Sequence, residues 1–194
     1  MSLAARIGED DPMTTWIALL RGINVGGNRR VPMAELRVAL EAIGLADVRT
    51  WIVSGNVLFR SGRRDRAALL GDIEAAIEAR FGFAVAVVLR TSAELRAVVA
   101  ADPLPEASAA DPAHRYAIFL SEDPAPDRLA AIDPAEVAPD VYAAGDRVIH
   151  AWYRGGLKAS KLAVRLTDSG LGVVATARNW NTVRKLVELA AEDV

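Results

Sequence analysis

The sequence predicts an α+β protein built from two ferredoxin-like (split βαβ) subdomains with antiparallel sheets and an additional C-terminal helix. Three observations predict it. A strand–helix–strand–strand–helix–strand order runs through residues 15–89. The same order returns, more weakly, through residues 116–176. In each half the middle strands adjoin across a short glycine-bearing turn, as hairpin-linked strands do.

Each element has a local reason. Residues 15–20 (TWIALL) are a short apolar run, the pattern of a buried strand. The glycine- and asparagine-rich loop 21–28 follows. Pro32 suits the first helical position, where its missing N–H is no loss. Met33, Leu36, Leu40 and Ile43 then recur at helical spacing, and Gly44 can close the helix. Residues 48–53 and 57–60 are β-rich and flank Ser54-Gly55-Asn56, a tight-hairpin signal. Asp65 caps the next helix, which buries Leu69, Leu70, Ile73, Ala76 and Ile77 and ends at Gly82. Residues 83–89 form the next strand. Thr91 and Glu94 make a capping box for a helix reaching Ala100.

The second half opens with a strand over 116–120 and a short helix over 127–132. Strands 137–143 and 147–153 flank the turn Ala144-Gly145-Asp146. A helix over 157–166, a strand over 173–176 and a final helix over 179–191 complete it. Trp180, Val183, Val187 and Ala190 share one side of that last helix, with charged residues opposite. The expected organisation is a flexible leader or tag at 1–12, a first subdomain at 13–100, a linker at 101–114 and a second subdomain at 115–194.

Composition removes several chemistries. The 194 residues contain no cysteine and two histidines. Disulfide scaffolds, thiol catalysis, cysteine zinc sites and three-histidine metal sites are therefore excluded. No metal and no cofactor is expected. His114 falls in the linker, and His150 alternates within a strand as a surface or half-buried residue. The longest clean apolar run is too short to cross a bilayer, and an apolar signal region is missing near the N-terminus. The expected location is cytoplasmic, with no membrane partner; the oligomeric state is left open.

Charge is unevenly spread. Residues 100–140 hold nine acids against two bases, a net of −7. Residues 147–187 hold eight bases and one acid, a net of +7. Residues 21–30 add three arginines and no acid. The basic stretches can concentrate an anionic ligand, or they can neutralise the acidic one.

Three motifs stand out: Arg21-Gly-Ile-Asn-Val-Gly-Gly-Asn28, then Ser54-Gly-Asn-Val57, then Arg178-Asn-Trp-Asn-Thr-Val183 with Lys185-Leu186. As an ordered set they resemble the bacterial domain-of-unknown-function 1697 family, over essentially residues 14–190. The resemblance implies a tandem of ferredoxin-like subdomains. It carries no established activity and no catalytic residues, so the catalytic set is unknown.

The motifs admit two readings: anion binding, or, for the loop 22–28, glycines and asparagines that only allow tight turns and self-capping. Gly22 and Gly27 have P-loop spacing, but Asn28 and Arg29 stand where Lys and Ser/Thr would hold phosphate and Mg²⁺. A nucleotide-hydrolysing P-loop is thus disfavoured, while glycine N–H groups beside Arg21, Asn24 and Asn28 still suit an anion. Ser54 and Asn56 serve a turn, or else point into a cleft beside that loop. Arg178 suits bidentate anion recognition at the start of the last helix, where Asn179 or Asn181 is the cap. The expected function is binding of a small anionic or phosphate-bearing ligand in a cleft between subdomains, by Arg21, Asn24, Asn28, Ser54, Asn56, Arg178, Asn179 and Asn181. Two alternatives stay open. One is single-stranded nucleic-acid binding by the basic C-terminal half; Trp16, Trp51 and Phe59, on strands of the first half, could stack bases on a sheet but are expected rather to pack under helices. The other is an enzyme acting on a phosphorylated metabolite.

Overall fold

The computed structural model describes residues 13–26 and 29–192. The leader expected at 1–12 and the site residue Asn28 lie outside them. The chain divides into two compact units, Met1–Ser92 and Ala93–Val194.

The first unit contains β1 (Thr14–Leu20), α1 (Met33–Glu41), β2 (Ala46–Trp51), β3 (Asn56–Ser61), α2 (Arg66–Phe81) and β4 (Val87–Thr91). Its sheet has the order β2-β3-β1-β4, antiparallel throughout. This is the split βαβ arrangement. Trp16, Ala18 and Leu20 alternate onto one face and join Leu36, Leu40, Leu69, Ile73 and Ile77 of the helices in the core. Asp65 caps α2 by accepting from the Ala68 N–H at 3.0 Å, and Gly82 ends it in the left-handed conformation.

The second unit contains α3 (Ser92–Ala100, which begins at the boundary), α4 (Pro105–Ala110), β5 (Arg115–Leu120), α5 (Pro126–Ala130), α6 (Pro134–Val137), β6 (Val141–Gly145), β7 (Val148–Trp152), α7 (Lys161–Arg165), α8 (Asp168–Leu171), β8 (Ala175–Asn179) and α9 (Trp180–Ala191). Its sheet order, β6-β7-β5-β8, repeats that of the first. Ile118, Leu120, Ile149 and Ala151 form one core face with Leu162, Leu166 and Leu171.

The expected fold class holds, and several local expectations shift. Pro32 is the cap of α1 with extended ψ, not its first turn. The strand expected at 83–89 starts at Val87, and the one expected at 173–176 runs over 175–179. The single helix expected at 157–166 is broken. A 3-10 turn at Leu157–Ala159 precedes α7, because the Ser160 side chain caps α7 anew through the Ala163 N–H. Residues 101–114, expected as a linker, carry α4, which Pro105 opens at its first turn. Among the described residues no helix is long and apolar enough to cross a membrane.

The repetition extends to one detail. Arg90 and Arg178 stand near the ends of the last strand of each sheet, 2% and 6% exposed. Each donates to the carbonyl of the residue before it, at 2.7 and 2.9 Å.

Candidate functional site

In the first unit the Arg21 loop and the hairpin after β2 come together. Asn24 sits at φ 55°, a left-handed conformation that asparagine tolerates. Its amide nitrogen donates to the Val53 carbonyl at 2.7 Å and to the Val31 carbonyl at 3.0 Å. Its amide oxygen accepts from the Val31 N–H at 2.8 Å. The Leu20 N–H donates to the Gly55 carbonyl at 2.8 Å. Gly55 is required twice over. Its φ is +84°, and a Cβ there would lie 2.8 Å from both Ile23 Cδ1 and Leu20 Cβ.

The hairpin differs from the expected one. Residues 52–55 make the turn, and Asn56 is the first residue of β3, paired with Trp51. Asn56 is fully buried, and its amide donates to the Trp51 carbonyl at 3.1 Å and to Ser54 Oγ at 3.3 Å. Asn24 and Asn56 thus knit backbone, while Ser54 and the arginines lie nearer the surface. Arg29 and Arg30 are exposed and Arg21 is half-buried. The Arg29 guanidinium lies 5.3 Å above the Phe83 ring and donates to the Ala84 carbonyl.

The third motif belongs to the second unit. Arg178 is the penultimate residue of β8 rather than the opening of a helix, and it donates to Thr176 Oγ1 at 2.7 Å. Burial pulls its pKa down to about 10. Asn179 caps α9, accepting from the Asn181 N–H at 3.0 Å. Its amide nitrogen donates to the Ala113 carbonyl at 2.8 Å and the Pro112 carbonyl at 3.2 Å. The Asn181 side chain is exposed.

The sequence reading missed a buried polar group in the second unit. Arg115 is fully buried and donates to Asp102 at 3.0 Å and to His150 Nδ1 at 2.7 Å. Its guanidinium lies 4.5 Å above the Trp180 ring, and the His150 ring meets Trp180 edge-on at 5.7 Å. His150, expected at or near the surface, is 2% exposed. Burial first, and the Arg115 charge second, push its pKa down to about 4. Burial would raise the Asp102 pKa, but bonds from Ser108, the Leu104 N–H and Arg115 outweigh it and lower it. A neutral imidazole accepting from a guanidinium is a structural pairing, because its lone pair is already occupied. The signal for it was present: Val148-Ile149-His150-Ala151-Trp152 is continuously apolar but for one imidazole, as a strand buried on both faces would be. His114, in the stretch expected as a linker, holds Asp111 through Nδ1 at 3.0 Å.

Trp16 and Phe59 are buried in the first core, so they offer no stacking face to bases. In the basic stretch Arg147 pairs with Glu94 at 2.7 Å, Lys185 with Glu188 at 3.0 Å and Arg165 with Glu136 at 3.4 Å. Part of the +7 is thereby neutralised within the second unit. That unit also contains a cavity of about 270 Å³ lined by Leu104, Pro105, Glu106, Val141, Trp152 and Arg154, among others.

Two ferredoxin-like units, with an asparagine-locked loop in the first and a guanidinium buried on tryptophan in the second, define a tandem α+β protein. The chain belongs to a family of proteins of unknown function, DUF1697, whose profile matches residues 13–150. Among solved structures, it is similar to the conserved bacterial protein SP0830 from Streptococcus pneumoniae. The TM-score is 0.72 and the identity 26%, over 92% of this chain and 99% of that one. No curated protein matches the chain.

Proposed function

We propose that the protein binds a small anionic, phosphate-bearing ligand in the cytoplasm, at the joined loops of the first unit. The observation that supports this reading best is the Asn24 lock. The Asn24 amide makes two hydrogen bonds with Val31 on its own segment and one to the Val53 carbonyl of the neighbouring hairpin. The fixed segment carries Arg21, Arg29 and Arg30, and no acid occurs between residues 21 and 34. A cationic segment anchored at Asn24 and Val31 meets an anion with less ordering cost on binding than a free one. Glycine N–H groups can approach phosphate oxygens closely, and guanidinium groups match them in pairs. Ser54, exposed on the adjoining hairpin, supplies a hydroxyl.

The test is calorimetric titration of the full chain with inorganic phosphate, pyrophosphate and AMP. At least one is expected to bind with a Kd below about 1 mM, an affinity worth roughly 4 kcal/mol. Replacing Arg29 and Arg30 together by alanine is expected to weaken it about tenfold or more. Absence of binding by all three would end this reading. Tight binding of a single-stranded oligonucleotide, weakening steeply with salt, would replace it by the nucleic-acid reading.

A further inference from the structure

We propose that β6 is a docking edge for an extended, basic peptide segment of another protein, with one bulky apolar side chain of that segment seated in the cavity beside Val141. The comparison with β2 carries the argument. The two strands hold the same place, at the outer edge of sheets of the same order. Edge strands invite pairing with other chains, and proteins normally blunt them with charge, proline or a bulge. β2 is blunted. Its register breaks between Ala46 and Arg49, Asp47 adopts φ 52°, and Asp47 and Arg49 put charges on the strand.

β6 has none of these protections. Val141, Tyr142, Ala143, Ala144 and Gly145 carry no charge and no proline, and their pairing with β7 runs unbroken from Val141↔Trp152 to Gly145↔Val148. Val141, Ala144 and Gly145 are exposed. Among the described residues no backbone group outside β7 bonds to residues 141–145. Alternate residues of β6 therefore turn their N–H and C=O groups outward. The other two edges, β4 and β8, are set apart by side-chain burial: four of five residues of β4 are buried, and three of five of β8.

Beside this edge lies the 270 Å³ cavity, with Leu104, Pro105 and Trp152 as apolar walls and Val141 at its mouth. A strand added to β6 would run about 4.8 Å away. A residue opposite Val141 would put its side chain at that mouth, so main-chain bonds would give affinity and the cavity selectivity.

Charge selects the occupant. Glu106 and Arg154 both line the cavity, Arg154 lying 4.1 Å over the Trp152 ring; Asp146 at the far end of the strand is 83% exposed and 3.4 Å from Arg147, and the balance is tipped by residues 100–140, which lead into the strand with a net of −7. A basic segment is favoured by this field. A second copy of the chain is not. Two-fold antiparallel pairing centred on Ala143 would set Asp140 of one copy opposite Asp146 of the other, and like charges directly opposite destabilise a sheet.

The experiment is selection of a phage-displayed library of random dodecapeptides on the full chain. Selected peptides are then synthesised and measured by fluorescence anisotropy. Enriched peptides are expected to carry Lys or Arg at alternating positions around one aromatic or leucine anchor. N-methylation of alternate residues is expected to weaken binding about tenfold in one register and to leave it unchanged in the other. Val141→Lys, at the mouth of the cavity, is expected to weaken binding about tenfold, and Ala144→Pro serves as a second variant once its melting curve shows it folded. No enrichment, enrichment of acidic peptides, or equal effects of N-methylation in both registers overturns the proposal. Dimerisation of the chain alone, relieved by Val141→Lys, also overturns it in favour of a second copy.

Discussion

The two units reach one strand order by different means. The first is organised by two regular helices of 9 and 16 residues over an apolar sheet face. The second replaces them with helices of four or five residues, α5 to α8, each started afresh by a proline or a capping side chain. Short helices contribute little stability of their own. In their unit a polar group is buried instead: Arg115 held by Asp102, His150 and Trp180. The lesson is that this topology tolerates fragmented helices when the strands themselves are fixed by other contacts.

Three substitution experiments would break or sharpen the comparison. The largest effect is expected from Arg115→Met. Removing the guanidinium strands Asp102 and His150 in a buried setting, and such losses cost about 3–5 kcal/mol. Urea denaturation measures it. A loss under about 1 kcal/mol would mean that the second unit's apolar core suffices alone. Next comes pH. His150 stays neutral in the folded chain down to about 4, whereas the unfolded chain takes up the proton near 6.5. Between those values the unfolded state binds more protons, so stability falls as the pH falls. The contribution is complete above pH 6.5 and declines by up to about 3 kcal/mol towards pH 4. His150→Gln should remove that slope from a denaturation series, and an unchanged slope would place its origin elsewhere. The smallest effect compares the hairpins. Gly55→Ala, at positive φ and against Ile23 and Leu20, is expected to cost about 2–3 kcal/mol. Gly145→Ala, at the last residue of β6, meets Val148 Cγ1 at 3.0 Å and the Val148 carbonyl and His150 Nε2 at ordinary contact distance, and is expected to cost about 1 kcal/mol or less. Equal shifts in melting temperature would show that the two turns are under equal constraint.

Much of the fold was legible because its strongest signals are local. Asp65 and Gly82 bracket α2 at both ends, and the apolar side of α9 repeats at helical spacing. Boundaries failed where the pattern is uninformative. Residues 83–89 are almost uniformly apolar, so no alternation marks Val87 as the start of β4. The sequence left Asn24 and Asn56 open between a cleft and a self-capped turn, and both side chains bond backbone groups. An amide looks the same in sequence whether it faces a ligand or a carbonyl. Of the Arg115 group, only the lone imidazole in an apolar strand was legible. Asp102, Arg115, His150 and Trp180 are spread over almost eighty residues, on two strands, a helix and a connection, and only the folded unit brings them together.

The Asn24 side chain also constrains how this protein can change. It spans two segments that are 29 residues apart in the chain. Inserting a single residue into either one would displace its anchor by up to about 3.5 Å, farther than an amide can stretch to follow. Variants that lengthen or shorten one segment should therefore be tolerated only when the other is adjusted to match, so that the pair is inherited as a single part.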